Sequence, residues 1–291
     1  MRLNELFHGM MQCPACGTAI DAPDYVCGKC GKKYLTEDGL LDFLDVALKE
    51  NADRDRVSDP ENSLKNFFKK WPGFYRAISL LISPILFTGL TIEKFIRNNF
   101  GKGSVLNVGS GPTKVHENVV NLDLYPFTNV DVLAAAEKLP FRDGVFDVVC
   151  SDQVLEHVRD PKRVVAEMLR VVKDGGLVYA GTPFIFPWHP SPRDYSRWSK
   201  EGLAELFAGH KIVDSGVTIG PTSALLTVLS TWLSIVFSFG IAPLRKTLNY
   251  LFMVLCFPFK FLDLVVARIP GSEISAAAVY VVARKTLPKN E

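Results

Sequence analysis

The chain has 291 residues, of which 48% are hydrophobic and 22% charged, with a mean hydropathy of +0.14. That length suits one large domain with a small appendage, and the hydropathy is high for a freely soluble enzyme. A net charge of +2 gives no whole-chain electrostatic case for nucleic acid, and Met1 to Met11 lacks the apolar core of a cleavable signal, so the cytosol is the expected compartment.

The first element is written in cysteine. Cys13, Cys16, Cys27 and Cys30 are spaced C-x2-C-x10-C-x2-C. Each C-x2-C curls so that two thiolates face one point, with Gly17, Gly28 and Gly31 allowing the tight turns around them. Four thiolates around one tetrahedral ion make a closed, structural zinc site without an open position. Two disulfides or a redox dithiol pair are the alternatives, and reducing cytosol and the doubled knuckle argue against both. Residues 11–45 are therefore expected to be a zinc ribbon. A segment of about 35 residues cannot bury a core of its own, so the metal replaces one.

Residues 46–100 read as linker and helices. Val46 to Asn62 is rich in charge and poor in large apolar residues, which suits a solvated linker, and Ser58-Asp59-Pro60-Glu61 makes a helix start. Residues 63–90 then mix Lys65, Lys69, Lys70 and Arg76 with Phe67, Phe68, Trp71, Phe74 and Tyr75, and the uncharged run Ala77 to Ile92 follows. Basic and aromatic residues beside an apolar run are what a membrane interface selects.

The next stretch, VLNVGSGPTKVHENVVNLD, joins an apolar run to Gly109-Ser110-Gly111 and reaches Asp123 at the end of a second apolar run. Asp123 is placed to take the two hydroxyls of a ribose. A dinucleotide fold would want a third glycine, but residue 114 is lysine. Only Pro112 to Asn118 separates the glycines from the second run, room for at most about two helical turns. A strand over Val145 to Cys150 follows, then a helix over Pro161 to Val172 with an apolar stripe at Val164, Val165, Met168, Leu169 and Val172. Asp174-Gly175-Gly176 ends that helix, and Leu177 to Gly181 reads as another strand.

After Thr182-Pro183 the sequence crowds Trp188, His189, Arg193, Asp194, Tyr195, Arg197 and Trp198 together, and Ser199 caps a short helix through Gly202-Leu203. Two strands close the chain, His210 to Ile219 and Glu273 to Arg284. Between them no charged residue occurs from Ser215 to Leu244, and a second apolar run, Leu248 to Phe259, is broken by Pro258 and followed by Lys260 and Asp263. If both flanking strands share one sheet, the chain must return to the side it left. A shallow or re-entrant apolar hairpin over residues 221–271 fits that requirement better than a two-span anchor. The alternatives are a helical lid packed on itself and a dimer interface.

Val105 to Pro183 resembles a class I S-adenosylmethionine-dependent methyltransferase of the type-11 group. The motifs that carry the resemblance are the G-x-G of Gly109 and Gly111, the acid Asp123, Leu139-Pro140-Phe141-Arg142-Asp143 with Phe146-Asp147, Val154 to Val158 (VLEHV), and Val172 to Gly176 (VKDGG). Pro187 to Leu203 is similar to the P-x-H-x-x-P-x-D-Y-x-R-(F/Y/W)-(T/S)-x-x-G-L signature of that branch, and residues 11–45 resemble the ribbons that precede bacterial methyltransferase domains. The resemblance implies an α/β fold: a doubly wound, seven-stranded Rossmann-like sheet over 101–220 and 272–286, with the zinc ribbon before it and the apolar insertion 221–271 before the last strand.

It also implies an S-adenosylmethionine pocket of Asn107, Gly109, Ser110, Gly111, Asp123, Leu124, Ala136, Glu137, Asp152 and Gln153. Asn107 stands where an acid often contacts the methionine end, and Ala135 where an Asp often holds the adenine amino group. Methyl transfer is an in-line displacement on a sulfonium, so the protein must align a nucleophile and remove its proton. His189 is the expected base, with Asp194 as its orienter or alternative, and Trp188, Tyr195 and Arg197 the expected substrate contacts. A bland reading has His189, Asp194 and Arg197 merely stapling the loop. Glu156-His157 is expected to shape the adenine side through its backbone.

The expected function is methyl transfer to an apolar or lipid-linked acceptor, of cell-surface glycan or isoprenoid type, by a protein peripheral on the inner face of the cell membrane. An rRNA or tRNA base methyltransferase is the second reading, disfavoured by the few basic residues of the ribbon (Lys29, Lys32, Lys33). A non-catalytic membrane adaptor with a decayed pocket is the third.

Overall fold

The computed structural model describes residues 9–20, 24–36, 39–50, 83–99, 101, 103–112, 115–116, 118–190 and 193–286. The basic and aromatic segment of residues 63–82 lies outside the described residues.

One sheet of eight strands organises the chain, in the order β3-β6-β5-β4-β7-β8-β10-β9. Its centre is β4 (Val105–Val108), parallel to β5 (Val119–Asp123) on one side and to β7 (Phe146–Asp152) on the other. β5 pairs with β6 (Val132–Leu133), and β7 with β8 (Val172–Pro183), also in parallel. β10 (Ala278–Arg284) runs antiparallel between β8 and the edge strand β9 (Lys211–Ile219). All four residues of β4 are buried, as expected for a parallel strand covered on both faces.

Alternation along the strands sorts two cores. Leu106, Val149 and Phe146 face one side together with Val164, Val165 and Met168 of α2 (Pro161–Val171). Val105, Val148 and Tyr179 face the other with Phe95 and Ile96 of α1 (Ile92–Asn99), and the Phe95 and Tyr179 rings stack at 5.1 Å. Asp160 starts α2 by accepting from the Arg163 N–H at 3.1 Å, with Pro161 in the first turn. Ser199 caps α3 (Lys200–Glu205) through the Gly202 N–H, as expected.

Three boundaries differ from expectation. Asp174-Gly175-Gly176 lies inside β8 rather than closing the helix, because the chain turns directly from α2 into the strand at Val172. Residues Ser272–Ser275 form a 3-10 turn, so the last strand begins at Ala278 instead of Glu273. The sheet also has eight strands rather than seven.

The eighth strand belongs to the ribbon. β1 (Met11–Gln12) pairs antiparallel with β2 (Ala19–Ile20), and β3 (Leu41–Asp42) adds in parallel to β6 at the sheet edge. The contact is stitched through the backbone. The Gln12 N–H donates to Pro140 O (3.0 Å), the Arg142 N–H to Met10 O (2.8 Å) and the Phe43 N–H to Leu133 O (2.8 Å). Met11, Ile20, Tyr25 and Leu41 are buried in the same cluster as Phe141 and Val132. The ribbon thus borrows the core it is too small to build.

Beyond β9 the chain forms α4 (Pro221–Ser238), turns through Phe239 and Gly240 at positive φ, and continues as α5 (Ala242–Cys256), a 3-10 segment (Phe257–Leu262) and α6 (Asp263–Val266). Its polarity is inverted relative to a water-soluble helix. Ser223, Thr227, Ser230, Ser234 and Ser238 form the buried face of α4, the last four with hydroxyls donating to carbonyls one turn back and Ser223 donating to Asp263. Leu225, Trp232, Ile235, Val236 and Phe237 face outward, joined by Leu251, Val254 and Leu255 of α5. By length and composition, Pro221–Ser238 and Ala242–Val266 are each apolar enough to cross a bilayer.

Candidate active site

The glycine loop leaves the carboxyl end of β4. Gly109 sits at φ +72, its N–H donating to Leu122 O at 2.8 Å, and a Cβ there would stand 2.2 Å from Val154 Cγ2. Only glycine suits that position. Gly111, at φ +58, faces open space, and its N–H donates to Asp123 Oδ2 at 2.8 Å. The Tyr125 N–H holds Oδ1 at 2.9 Å. Burial pushes the Asp123 carboxyl above its ordinary value against the pull of these N–H donors. Among the described residues no helix separates the glycines from β5.

The other expected pocket residues gather at the same strand ends. Asn107 donates to Asn121 Oδ1 at 3.4 Å inside the sheet, and Ser110 follows Gly109 with its N–H on Leu122 O. Leu124 continues from Asp123, while Ala136 and Glu137 follow the stretch anchored by the Ala134 N–H on Asp123 O (3.1 Å). Asp152 ends β7. Its Oδ1 is buried without a hydrogen-bond partner, and burial pushes the carboxyl to about 6. Gln153 next to it takes φ +56. A glycine cradle with open space beyond it and carboxylates at its rim fits a nucleoside with a cationic tail.

The loop after β8 closes over these strand ends. Arg197 grips Asp194 with both Nη atoms, Nη2 donating to Oδ2 at 2.6 Å, and the Asp194 side chain is almost wholly buried. Burial alone would raise the Asp194 carboxyl, but the Arg197 guanidinium outweighs it and holds it at about 2. Asp194 also accepts the His189 N–H at 2.9 Å. The carboxylate is thus committed to holding the loop, the arrangement of the reading in which His189, Asp194 and Arg197 staple it. Tyr195 donates its N–H to Glu156 O at 2.7 Å and receives Arg159 Nε on its hydroxyl at 3.3 Å. Trp188 is 73% exposed.

His189 stands between these groups and a pair the sequence reading set aside. Its ring packs edge-on against His157 at 5.3 Å and against Phe186 at 5.3 Å. Its Nδ1 lies 3.2 Å from Pro187 O and 3.3 Å from Arg197 Nη2. Glu156 beneath is fully buried, and burial pushes its carboxyl to about 8.

Far from this face, Cys13, Cys16, Cys27 and Cys30 converge, all as thiols, with Cys16 Sγ 3.4 Å from Cys27 Sγ and Cys13 Sγ 3.6 Å from Cys30 Sγ. The Tyr34 hydroxyl lies 3.0 Å from Cys13 Sγ, a neighbour the cysteine spacing gave no sign of.

The sequence profile of the methyltransferase-domain family matches residues 106–180. Residues 106–180 thus carry the sequence pattern of a methyltransferase domain. The chain is 30% identical over 115 residues to a 37.1 kDa transposon protein of Streptomyces fradiae, covering 40% of this chain and 32% of that one. It is 37% identical over 79 residues to a methyltransferase of Mycobacterium leprae, covering 27% and 29%. A Mycobacterium sp. methyltransferase shares 54% identity over 46 residues, 16% and 18% of the two chains. The chain therefore spans a third or less of the length of these curated relatives. Among solved structures, phosphoethanolamine N-methyltransferase 2 of Haemonchus contortus, bound to S-adenosylhomocysteine, aligns at TM-score 0.46 and 18% identity over 84% of this chain and 61% of that one. The [4+2]-cyclase SpnF aligns at 0.39 and 18% over 64% and 75%.

The methyltransferase domain accounts for the glycine loop, Asp123, the 139–147 segment and the 154–158 turn. It stops short of the 187–203 loop, the ribbon and the apolar hairpin. Within it, Leu139-Pro140-Phe141 has a use beyond leading a strand, since Phe141 bridges to Met11 and the neighbouring carbonyl receives Gln12.

Proposed function

We propose that the protein is an S-adenosylmethionine-dependent methyltransferase acting at the cytosolic face of a membrane on an apolar or lipid-linked acceptor, of glycan or isoprenoid type. The observation that carries the reading is where the hairpin leaves the sheet. β9 ends at Ile219 on the same face as the glycine loop, and α4 rises from it with its apolar residues outward. An apolar cavity of about 460 Å³ lies between Ile185 of the β8 loop, Ala224, Leu225 and Val228 of α4, and Val266 of α6. A chain of isoprenoid or acyl type would fit there with its head toward His189.

When bound, S-adenosylmethionine supplies an electrophilic methyl group. Gly109, Ser110 and Gly111 hold the amino-acid end with Asn107 and Asp152, Asp123 takes the ribose hydroxyls, and Leu124, Ala136, Glu137 and Gln153 line the adenine side. His189 faces the acceptor, and with Nδ1–H on Pro187 O its Nε2 is free to take a proton. Asp194 and Arg197 keep it there. Trp188 and Tyr195 contact the acceptor, and the ribbon cysteines bind one structural zinc ion.

Calorimetric titration with S-adenosylhomocysteine tests the core of this reading. Micromolar binding that Asp123→Ala loses is the expected result. No heat from folded protein would sink the enzyme reading and leave a membrane adaptor.

A further inference from the structure

Three side chains at the end of β7 and the loop after β8 are placed as metal ligands. One ligand atom each from Glu156, His157 and His189 lies within 4.8 Å of the others. Glu156 is 0% exposed, and neither of its carboxylate oxygens reaches a hydrogen-bond donor of another residue. The nearest candidate, His157 Nε2, stands 3.8 Å from Oε1, beyond hydrogen-bond length. A buried carboxylate without a donor is costly unless something charged completes it.

The histidines are prepared in a matching way. His157 directs Nδ1 to the Arg193 carbonyl, which fixes the proton on Nδ1 and leaves the Nε2 lone pair toward Glu156. Both close neighbours of the His189 ring, Pro187 O at 3.2 Å and Arg197 Nη2 at 3.3 Å, lie on Nδ1, so the nitrogen left for a ligand is again Nε2. A ring nitrogen tied to a backbone carbonyl is how ligating histidines are commonly oriented. Charge around the cluster is balanced toward a cation. Arg197 is neutralised by Asp194, so it brings no net positive charge to the cluster.

We propose that Glu156, His157 and His189 bind one divalent cation of the zinc, manganese or iron type, and that this ion holds and ionises a hydroxyl of the acceptor. Two histidines and one carboxylate leave coordination positions open, as in catalytic rather than structural sites. This inference rests on the methyltransferase reading for its chemistry, and it replaces direct proton removal by His189. The acceptor O–H gives its proton to solvent water on binding the ion. The metal-held oxygen then takes the methyl carbon, the carbon–sulfur bond breaks, and its electron pair stays on sulfur as S-adenosylhomocysteine leaves. The acceptor class follows: a compound with an acidic hydroxyl, phenolic or enolic, carried on an apolar chain.

The test uses Mn²⁺, which thiolate sites bind poorly, added to the full chain with zinc already supplied. Loss of the free Mn²⁺ signal in electron paramagnetic resonance counts bound ions. One equivalent per wild-type chain is expected, displaced by added Zn²⁺, with binding weakened at least about tenfold in Glu156→Gln and in the more accessible His189→Gln. S-adenosylhomocysteine titration of the same samples reports on folding and on the methyltransferase reading separately. S-adenosylhomocysteine binding without bound Mn²⁺, or Mn²⁺ affinity unchanged in both variants, overturns the metal site. Mn²⁺ binding by the wild-type chain that both variants lose, with no S-adenosylhomocysteine uptake by the wild-type chain, upholds the site and overturns only the reaction assigned to it.

Discussion

Asp263 holds Ser223 twice, accepting its N–H at 2.8 Å and its hydroxyl at 2.7 Å through one carboxylate oxygen, while the other oxygen takes the Thr222 N–H at 2.8 Å. The acid that counts against a membrane span in the sequence is thus the buried cap of α4, contributed from the far end of the hairpin. Lys260 is likewise turned inward, its Nζ donating to Ser83 O at 3.2 Å. Both charges are internal, so neither interrupts the outward apolar residues of α4.

Replacing Asp263 with Ala removes three hydrogen bonds from the first turn of α4 and is expected to lower stability by about 2 kcal/mol. Asp263→Asn, which keeps an acceptor, should lose less. Urea unfolding midpoints measure both, and an Asp263→Ala midpoint equal to wild type would refute the cap.

Trp232, 57% exposed on α4, reports on what the hairpin meets. With vesicles containing anionic lipid, the protein should float with the lipid and its tryptophan emission shift to the blue. Triple replacement of Trp232, Ile235 and Phe239 by Ser should leave it in the aqueous fraction with cofactor binding intact. Equal flotation of the two proteins would argue for a lid or a protein partner instead.

Tyr34→Phe keeps the ring stacked on Phe43 at 4.4 Å but removes the hydroxyl beside Cys13 Sγ. Zinc should then pass to a colorimetric chelator roughly tenfold faster. Complete removal of zinc should lower the melting temperature of the whole chain, because the ribbon shares the buried cluster of the sheet. A chelator-treated protein that melts unchanged would detach the ribbon from the domain's stability.

Asp147 predicts a pH dependence. Burial would raise its carboxyl, but Lys173 Nζ at 2.8 Å and the Ser104 N–H and hydroxyl outweigh it and set it below the ordinary value. A depressed carboxyl stabilises the fold above the unfolded carboxylate range and loses that contribution as pH falls through it. Asp147→Asn should therefore be about 1 kcal/mol less stable at neutral pH. The gap should close under acid conditions. A gap that persists below the carboxylate range would point to packing alone.

Much of this molecule is legible in the sequence because its cues are local. Gly109, Gly111 and Asp123 announce the loop by spacing, and the knuckle cysteines announce their cluster. What stayed hidden depends on residues far apart. Leu41 gives no sign that it extends the sheet beside Val132, and Glu156-His157 meets His189 only once the β8 loop folds back. The hairpin is an intermediate case. Counting apolar residues found it, but the periodic hydroxyls Ser223, Thr227, Ser230, Ser234 and Ser238 carried the finer signal, that the polar side of α4 faces in.

The pairing of β3 with β6 has a consequence for how the chain survives its own synthesis. An unpaired β6 would present a row of free N–H and C=O groups, a template for another chain. β3 covers that edge, and the cysteine knuckles hold β3 in place. With the zinc proposed for that cluster, metal supply becomes a quality gate: a chain made without it would leave the edge uncapped, and the protein lost under zinc starvation should be found in aggregates.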